Sequence, residues 1–190
     1  YVTQLCREMH PDLIVFTGDL LDRQDLETWI APTLGTLSAP LGKYFILGNH
    51  DWYLDPPRIR EAMSAQGWIN VAGKSLQLEY AGRKLLLAGT EVPWMGRHPD
   101  LKGQAADFRL LLSHTPDNVA WARRSGFDLV LAGHNHGGQI RFPGFGPVYC
   151  PSFYGCKFAA GIFERGETLM YVSRGLSGKH PLRINCLPEV

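Results

Sequence analysis

The chain of 190 residues is 45% hydrophobic and 19% charged, with a formal net charge of +1. That is enough apolar content for one sizeable core, and the balance excludes a basic nucleic-acid footprint or an acidic tail. There is no run of about 20 apolar residues and no signal-peptide pattern.

From the N-terminus, Val2, Leu5 and Met9 recur at helical spacing, and "PDLIVFTGD" follows as a β-branched run ending in Gly18–Asp19. Leu26, Trp29, Ile30, Leu34 and Leu37 predict a further helix, with Pro32 early in it or kinking it. "KYFILGNHD" predicts a strand that closes on Gly48. A helix from about Pro57 to Gln66 would bury Ile59 and Met63 and stop at Gly67. "SLQLEYAGRKLLLAG" alternates, turns at Ala81–Gly82 and resumes, as a hairpin does. "FRLLLSH" reads as a strand, "PDNVAWARRSG" as a helix opened by proline, and "DLVLAGHNH" as a buried strand. Beyond His136 the pattern turns strand-rich, with "QIRF", "TLMYVSRG" and "PLRINCL" joined by glycine-rich links. No repeat, low-complexity segment or linker divides residues 1–190, which read as one domain.

Cysteine decides little. Cys6, Cys150, Cys156 and Cys186 form no Cys-x-x-Cys pair, which argues against a thiolate zinc site. Cys150 and Cys156 are spaced for a small disulfide loop, although buried free thiols are the preferred reading.

Polar residues collect where apolar runs meet a glycine or a turn. "GDLLD" supplies Asp19 and Asp22, "GNHD" supplies Asn49, His50 and Asp51, "SH" supplies His114, and "GHNH" supplies His134 and His136. Ends of this kind are where open α/β sheets place ligands. If they share one sheet edge, Asp19, Asn49, His114, His134 and His136 converge. A carboxylate, an amide oxygen and imidazoles then make an N/O ligand set suited to a first-row metal. The glycines around "GHNH" would let both histidines face one metal cluster, with Asn135 turned elsewhere.

This ordered set resembles the calcineurin-like metallophosphoesterase family. The family pattern is Asp-x-His, Gly-Asp-x-x-Asp, Gly-Asn-His-Asp/Glu, a single His, and Gly-His-x-His. All but the first match in order between Gly18 and His136. "GHNHGGQIRFPG", with "YGCKFAAG", "YVSRGLSG" and "PLRINCLPE" downstream, is similar to one bacterial subgroup of membrane-associated or exported phosphodiesterases. Some members of that subgroup are assigned to UDP-diacylglucosamine hydrolysis in lipid A synthesis. The resemblance implies an α/β fold, a four-layer αββα sandwich, and the early strand–helix alternation agrees with it. It also implies hydrolysis of phosphodiester or pyrophosphate bonds by a metal-activated hydroxide, with two divalent ions of the Mn, Fe or Zn type. A nucleotide-lipid substrate and peripheral membrane association come with the subgroup; no specific nucleic acid is expected.

Carried over by position, Asp19 would bridge two metals. Asn49, His114 and His134 would complete the second site, and His136 would serve the first. His50 would not ligate; it would act on the leaving-group oxygen as general acid or charge stabiliser, with Asp22 on its far nitrogen. A carboxylate partner fixes an imidazole's tautomer and supports its charged form.

One motif is missing. No Asp in the chain is followed two positions later by His, so two ligands of the first metal are absent. The chain opens on "YVTQLCREMH" without Met, and the expectation is an N-terminally shortened fragment; "CLPEV" also stops where the subgroup continues into a last strand. With no targeting segment in these residues, cytoplasmic residence stays open beside a membrane-associated or exported one.

Taken singly, the residues have plainer readings. Asp19 alone is a turn residue, His114 alone a satisfied strand-end histidine, and His50–Asp51 an ordinary helix start. Their order is what coincidence explains poorly. His10, His98 and His180 belong to no motif and read as surface residues. Trp94, Met95, Gly96 and Arg97 form either a lid over an apolar substrate or a packed loop. Beside a diesterase, a phosphomonoesterase and a non-catalytic scaffold of the same fold remain as alternatives.

Overall fold

Short apolar runs make short strands in this chain, and the layers come from how they alternate. The computed structural model describes residues 2–176 and 182–190, so His180 lies outside the described residues. Helix α1 (Val2–Met9) leads into β1 (Ile14–Phe16), which pairs in parallel with β2 (Lys43–Phe45), itself parallel to β3 (Trp68–Asn70). Between β2 and β3 come α2 (Asn49–Trp52) and α3 (Pro56–Ala65). Asp55 caps α3 by accepting from the Arg58 amide at 3.2 Å, prolines fill its first turn, and Gly67 leaves at φ +76°.

The larger sheet holds β4 (Ser75–Tyr80), β5 (Arg83–Thr90), β6 (Phe108–Ser113), β7 (Leu129–Ala132), β10 (Gly161–Arg165) and β11 (Thr168–Val172). Its order is β10-β11-β7-β6-β5-β4, with β5, β6, β7 and β11 parallel and an antiparallel hairpin at each edge. The expected turn between β4 and β5 falls at Ala81 and Gly82, both at positive φ (50° and 74°), as a two-residue hairpin requires. Helix α4 (Val119–Arg124) connects β6 to β7, and a small ribbon of β8 (Arg141–Phe142) and β9 (Gly146–Pro147) stands apart.

Period-two alternation sets the layers. Tyr44 and Ile46 from the small sheet meet Leu87, Leu110 and Leu112 from the large one, which fills the space between the sheets. Phe45 and Leu47 point the other way, onto Ile59 and Met63 of α3, with Val2 and Cys6 of α1 at the margin. Leu111, Val130 and Met170 turn outward onto Val119 and Ala122 of α4. The result is a four-layer αββα sandwich, at roughly 1.5–3 kcal/mol for each large apolar side chain buried. Gly89 lets the sheets approach where Ala72 bridges to it; a Cβ there would sit 2.7 Å from the Val71 carbonyl.

The smaller sheet is wholly parallel among the described residues. Two details differ from expectation. The helix expected over Leu26–Leu37 is two 3-10 turns, Gln24–Trp29 and Leu34–Thr36, because Pro32 offers no amide to carry a ladder across. Ile30 and Leu37 still reach the core. The described residues of "PLRINCL" contribute one isolated bridge, Ile184 to Ile140, where a strand was expected.

Candidate metal centre

The parallel strands of both sheets finish at one end of the sandwich, and the polar residues follow those ends. Asp19 lies beyond β1, Asn49 opens α2 beyond β2, His114 follows β6, and His134 follows β7. The backbone needed to bring them together is unusual. Asp19, His134 and His136 themselves take positive φ (57°, 68° and 48°), as do Gly137 and Gly138. The turn that aims the histidines is therefore carried by the histidines as well as by their glycines, a strain that needs surrounding structure to hold it.

Gly48 is demanded by space. A Cβ there would lie 2.1 Å from Asp19 Oδ1 and 2.4 Å from His114 Cε1. Gly18, at φ +100°, runs equally close, its Cβ falling 2.5 Å from the Gly48 amide. Asp51, fully buried, clamps the two loops by accepting from the amides of Leu20, Leu21 and Gly48 at 2.9–3.1 Å. The plainer reading of Asp51 as a helix-start residue is thus only part of its work.

Hydrogen bonds fix both buried imidazoles. His114 Nδ1 lies 2.8 Å from the Thr17 carbonyl and His134 Nε2 lies 2.7 Å from the Pro151 carbonyl. Carbonyls only accept, so each ring donates there and turns its other nitrogen to the cluster. His114 Nε2 then faces Asn49 Oδ1 at 3.1 Å, His134 Nδ1 at 3.2 Å and Asp19 Oδ1 at 3.3 Å. Asp19 Oδ1 also accepts the His50 amide at 3.0 Å, while Asp19 Oδ2 is buried and accepts no hydrogen bond. Asp19, His114 and His134 bring ligand atoms within 4.8 Å of one another. His136 approaches from the side, with Nε2 at 4.0 Å from Asp19 Oδ2.

The charges fit this packing. Burial alone would raise the Asp19 carboxyl, but His114 and the His50 amide outweigh it and hold it well below the carboxylate range. Burial opposes charge on His114, yet Asp19 and the Thr17 carbonyl leave it above the ordinary imidazole value. Burial and the neighbouring His114 push His134 down to about 4.

Beside the cluster, His50 Nδ1 lies 2.5 Å from Asp22 Oδ1, and the His50 ring is 6.4 Å from that of His136. The ligand atoms grouped within 4.8 Å come from Asp19, His114 and His134 and not from His50. Asn135 turns away, as expected, its Nδ2 donating to the Phe158 carbonyl at 2.7 Å. Trp94 covers the cluster, its ring 4.6 Å from His134 and 5.3 Å from His114, while Met95 next to it is buried in the core. The Trp94–Met95 loop is packed at the site. His98 is no surface residue: it stacks on Trp121 at 3.9 Å and meets Thr90 Oγ1 at 3.1 Å. All four cysteines are free thiols, with Cys150 and Cys186 buried.

His114 Nε2, His134 Nδ1, the Asn49 amide oxygen and the Asp19 carboxylate come together here, a gathering of electron-pair donors that a cation would neutralise. The donor set therefore fits a divalent metal of the Mn, Fe or Zn type. An αββα sandwich with such a centre at its strand ends defines a metal-dependent phosphoesterase. The chain belongs to the calcineurin-like phosphoesterase family, whose model matches residues 1–138. It is 36% identical over 194 residues to the uncharacterized metallophosphoesterase YkuE of Bacillus subtilis (strain 168), spanning 96% of this chain and 67% of that one. It is 32% identical over 189 residues to the phosphodiesterase YaeI of Escherichia coli (strain K12), spanning 96% and 70%. A solved Staphylococcus aureus protein shares the fold, with a TM-score of 0.53 at 12% identity over 92% of this chain and 42% of that one.

Proposed function

We propose that this chain hydrolyses a phosphodiester or pyrophosphate bond, with Asp19, Asn49, His114 and His134 holding a divalent cation and His136 serving a second. The observation that carries this reading is the gathering of ligand atoms of Asp19, His114 and His134 within 4.8 Å of one another, beside a separate His–Asp pair. When bound, such cations supply Lewis-acid stabilisation of phosphoryl oxygens and lower the pKa of a coordinated water. The protein's own residues do the rest. Asp22 holds the proton of His50 on Nδ1 or accepts it there, and among the described residues Nε2 makes no hydrogen bond. That nitrogen is the group for the leaving oxygen, to which it delivers a proton or a positive charge. Trp94 keeps water off the buried face of His114 and His134, where loose solvent would weaken their hold.

The test is turnover of bis-nitrophenyl phosphate against nitrophenyl phosphate with added manganese or zinc. Preference for the diester supports this reading; preference for the monoester would favour the phosphomonoesterase, and no turnover with metal bound would favour a scaffold.

A nucleotide-lipid substrate and peripheral membrane association belong to the same proposal. Their support is the segment after the metal loop, where Phe142, Phe145, Val148, Tyr149 and Phe153 are exposed. That segment joins the centre directly, since the Pro151 carbonyl accepts from His134. Among the described residues no helix is long and apolar enough to cross a membrane. Co-sedimentation with anionic vesicles, compared with a Phe145→Ser/Phe153→Ser variant, tests it.

A further inference from the structure

On the outer face of the large sheet a cleft of about 260 Å³ opens between α4, the 3-10 turn Gly155–Phe158 and β10. Its rim carries Arg123, Lys157 and Arg165, and no carboxylate lines it. None of the three forms an ion pair among the described residues. Glu164 and Glu167 neighbour Arg165 in sequence but form no ion pair with it among the described residues.

The cations are gathered and not scattered. Arg165 Cζ lies 4.6 Å above the Phe158 ring and Lys157 Nζ 5.6 Å from it, so one aromatic ring holds both. The Arg123 stem reaches the β10–β11 turn next to Arg165, its Cδ 3.6 Å from where a Cβ on Gly166 would be. Like charges so placed repel one another, and an anion between them relieves the repulsion. The cleft shares no residue with the metal cluster.

We propose that this cleft binds a phosphomonoester dianion, as a second anion site separate from the metal centre. Three cations suit a doubly charged group better than a single carboxylate. Two guanidinium forks match phosphate oxygens in bidentate fashion, and Lys157 adds a point charge. Val119, Ala120 and Phe158 give an apolar wall for a small organic substituent on the phosphate. The phosphoryl group comes either from a soluble phosphomonoester or from a lipid headgroup such as phosphatidate.

The experiment reads binding and not turnover, so it stands or falls apart from the hydrolytic reading. Equilibrium dialysis with labelled inorganic phosphate is run on the whole chain, on Asp19→Asn, on Arg123→Gln/Lys157→Gln, and on Arg124→Gln. Arg123 and Lys157 are exposed, so their replacement spares the core; Arg124 shares the last turn of α4 but does not line the cleft. The expected result is a saturable site retained in Asp19→Asn and Arg124→Gln and weakened at least about tenfold in the cleft variant. A parallel arm measures retention on phosphatidate vesicles against phosphatidylcholine vesicles. Phosphate binding without vesicle retention assigns the soluble source, and cleft-dependent retention on phosphatidate alone assigns the lipid source. Binding that is indifferent to the cleft variant in both arms, or lost equally in Arg124→Gln, overturns the proposal.

Discussion

The Thr17 carbonyl stands 2.8 Å from His114 Nδ1 and thereby decides which nitrogen of that ring can bind a metal. The proton stays on Nδ1, and the Nε2 lone pair faces Asn49 and Asp19. Replacing His114 with Ala removes a ligand and leaves the Thr17 carbonyl unpaired. We expect His114→Ala to lose bound metal by more than tenfold in affinity, read by metal analysis after dialysis. Retention of metal in that variant would remove His114 from the ligand set.

Metal uptake is also linked to protons, with opposite signs at the two buried imidazoles. His114 sits above its ordinary 6.5, where burial is outweighed by Asp19, so a cation has to displace its proton wherever the ring is charged. His134, lowered by burial to about 4, has no proton to lose near neutrality. Uptake should therefore release more protons as the pH is lowered, and affinity should fall as pH drops. In the metal-free chain, the His114 contribution to stability is full below 6.5 and lost as pH rises through its folded value. The His134 contribution is full above 6.5 and lost as pH falls towards about 4. Calorimetry in buffers of different ionisation enthalpy counts the protons, and a count that does not rise as the pH is lowered contradicts this assignment.

His50 answers to a different measurement. If it assists the leaving group, His50→Ala should cut turnover by roughly 10²–10⁴-fold and leave metal content unchanged. The loss should shrink on an ester with a very good leaving group, which needs no proton. Asp22→Asn should produce a smaller loss of the same pattern, because it disturbs the orientation of His50 and not its presence. Equal losses on good and poor leaving groups would argue against the role.

How much of this was readable beforehand depends on distance along the chain. Asp19, Asn49, His114 and His134 were legible because each closes an apolar run, and parallel strands carry such ends to one edge. The Ala81–Gly82 turn was legible for the same local reason. What stayed hidden depends on contacts between remote residues: Pro151 beneath His134, Trp94 over both imidazoles, and Phe158 holding Asn135. Asp51 was visible in "GNHD", but nothing local shows that it gathers amides from thirty residues earlier. The strand Trp68–Asn70 is too short to carry a period, and the Leu26–Leu37 spacing looked helical although Pro32 interrupts its hydrogen bonds.

Glu91 is another residue with no sequence signal. Buried behind the metal loop, it accepts from the Leu47 amide at 2.6 Å and pairs with both terminal nitrogens of Arg60. Removing one partner strands a charge, at about 3–5 kcal/mol. Arg60→Met should therefore lower the denaturation midpoint with little change in slope. A shift within that of a surface arginine variant would show the pair to be dispensable.

Gly48 gives the sharpest steric test. Gly48→Ala would place a methyl 2.1 Å from Asp19 Oδ1, which forces the β1 and β2 loops apart. Metal affinity and activity should both collapse, while Gly82→Ala, in open space on a distant turn, should affect stability alone. Normal metal binding in Gly48→Ala would mean that the loops are looser than their contacts indicate.

The number of ions follows from ligand count. Asp19, Asn49, His114 and His134 offer one cation a nearly complete set, and their tautomers are fixed in advance. A second cation would find His136 and the shared Asp19, 4.0 Å apart, and among the described residues no third carboxylate, imidazole or thiolate joins them in a metal-sized group. Affinity rises with ligand number and geometry, and a two-ligand site leaves most positions to water. We therefore expect the chain of 190 residues to retain about one tightly held transition metal, with a second bound only at high concentration. With one cation held tightly and a second only weakly, diester turnover should be slow and should rise with free metal in the millimolar range. His136→Ala should abolish that rise and spare the tight ion, whereas Asp19→Asn should remove both. Elemental analysis after gel filtration, paired with a metal titration of turnover, separates these outcomes. Two ions retained per chain after dialysis would show that the second cation has more ligands than His136 and Asp19.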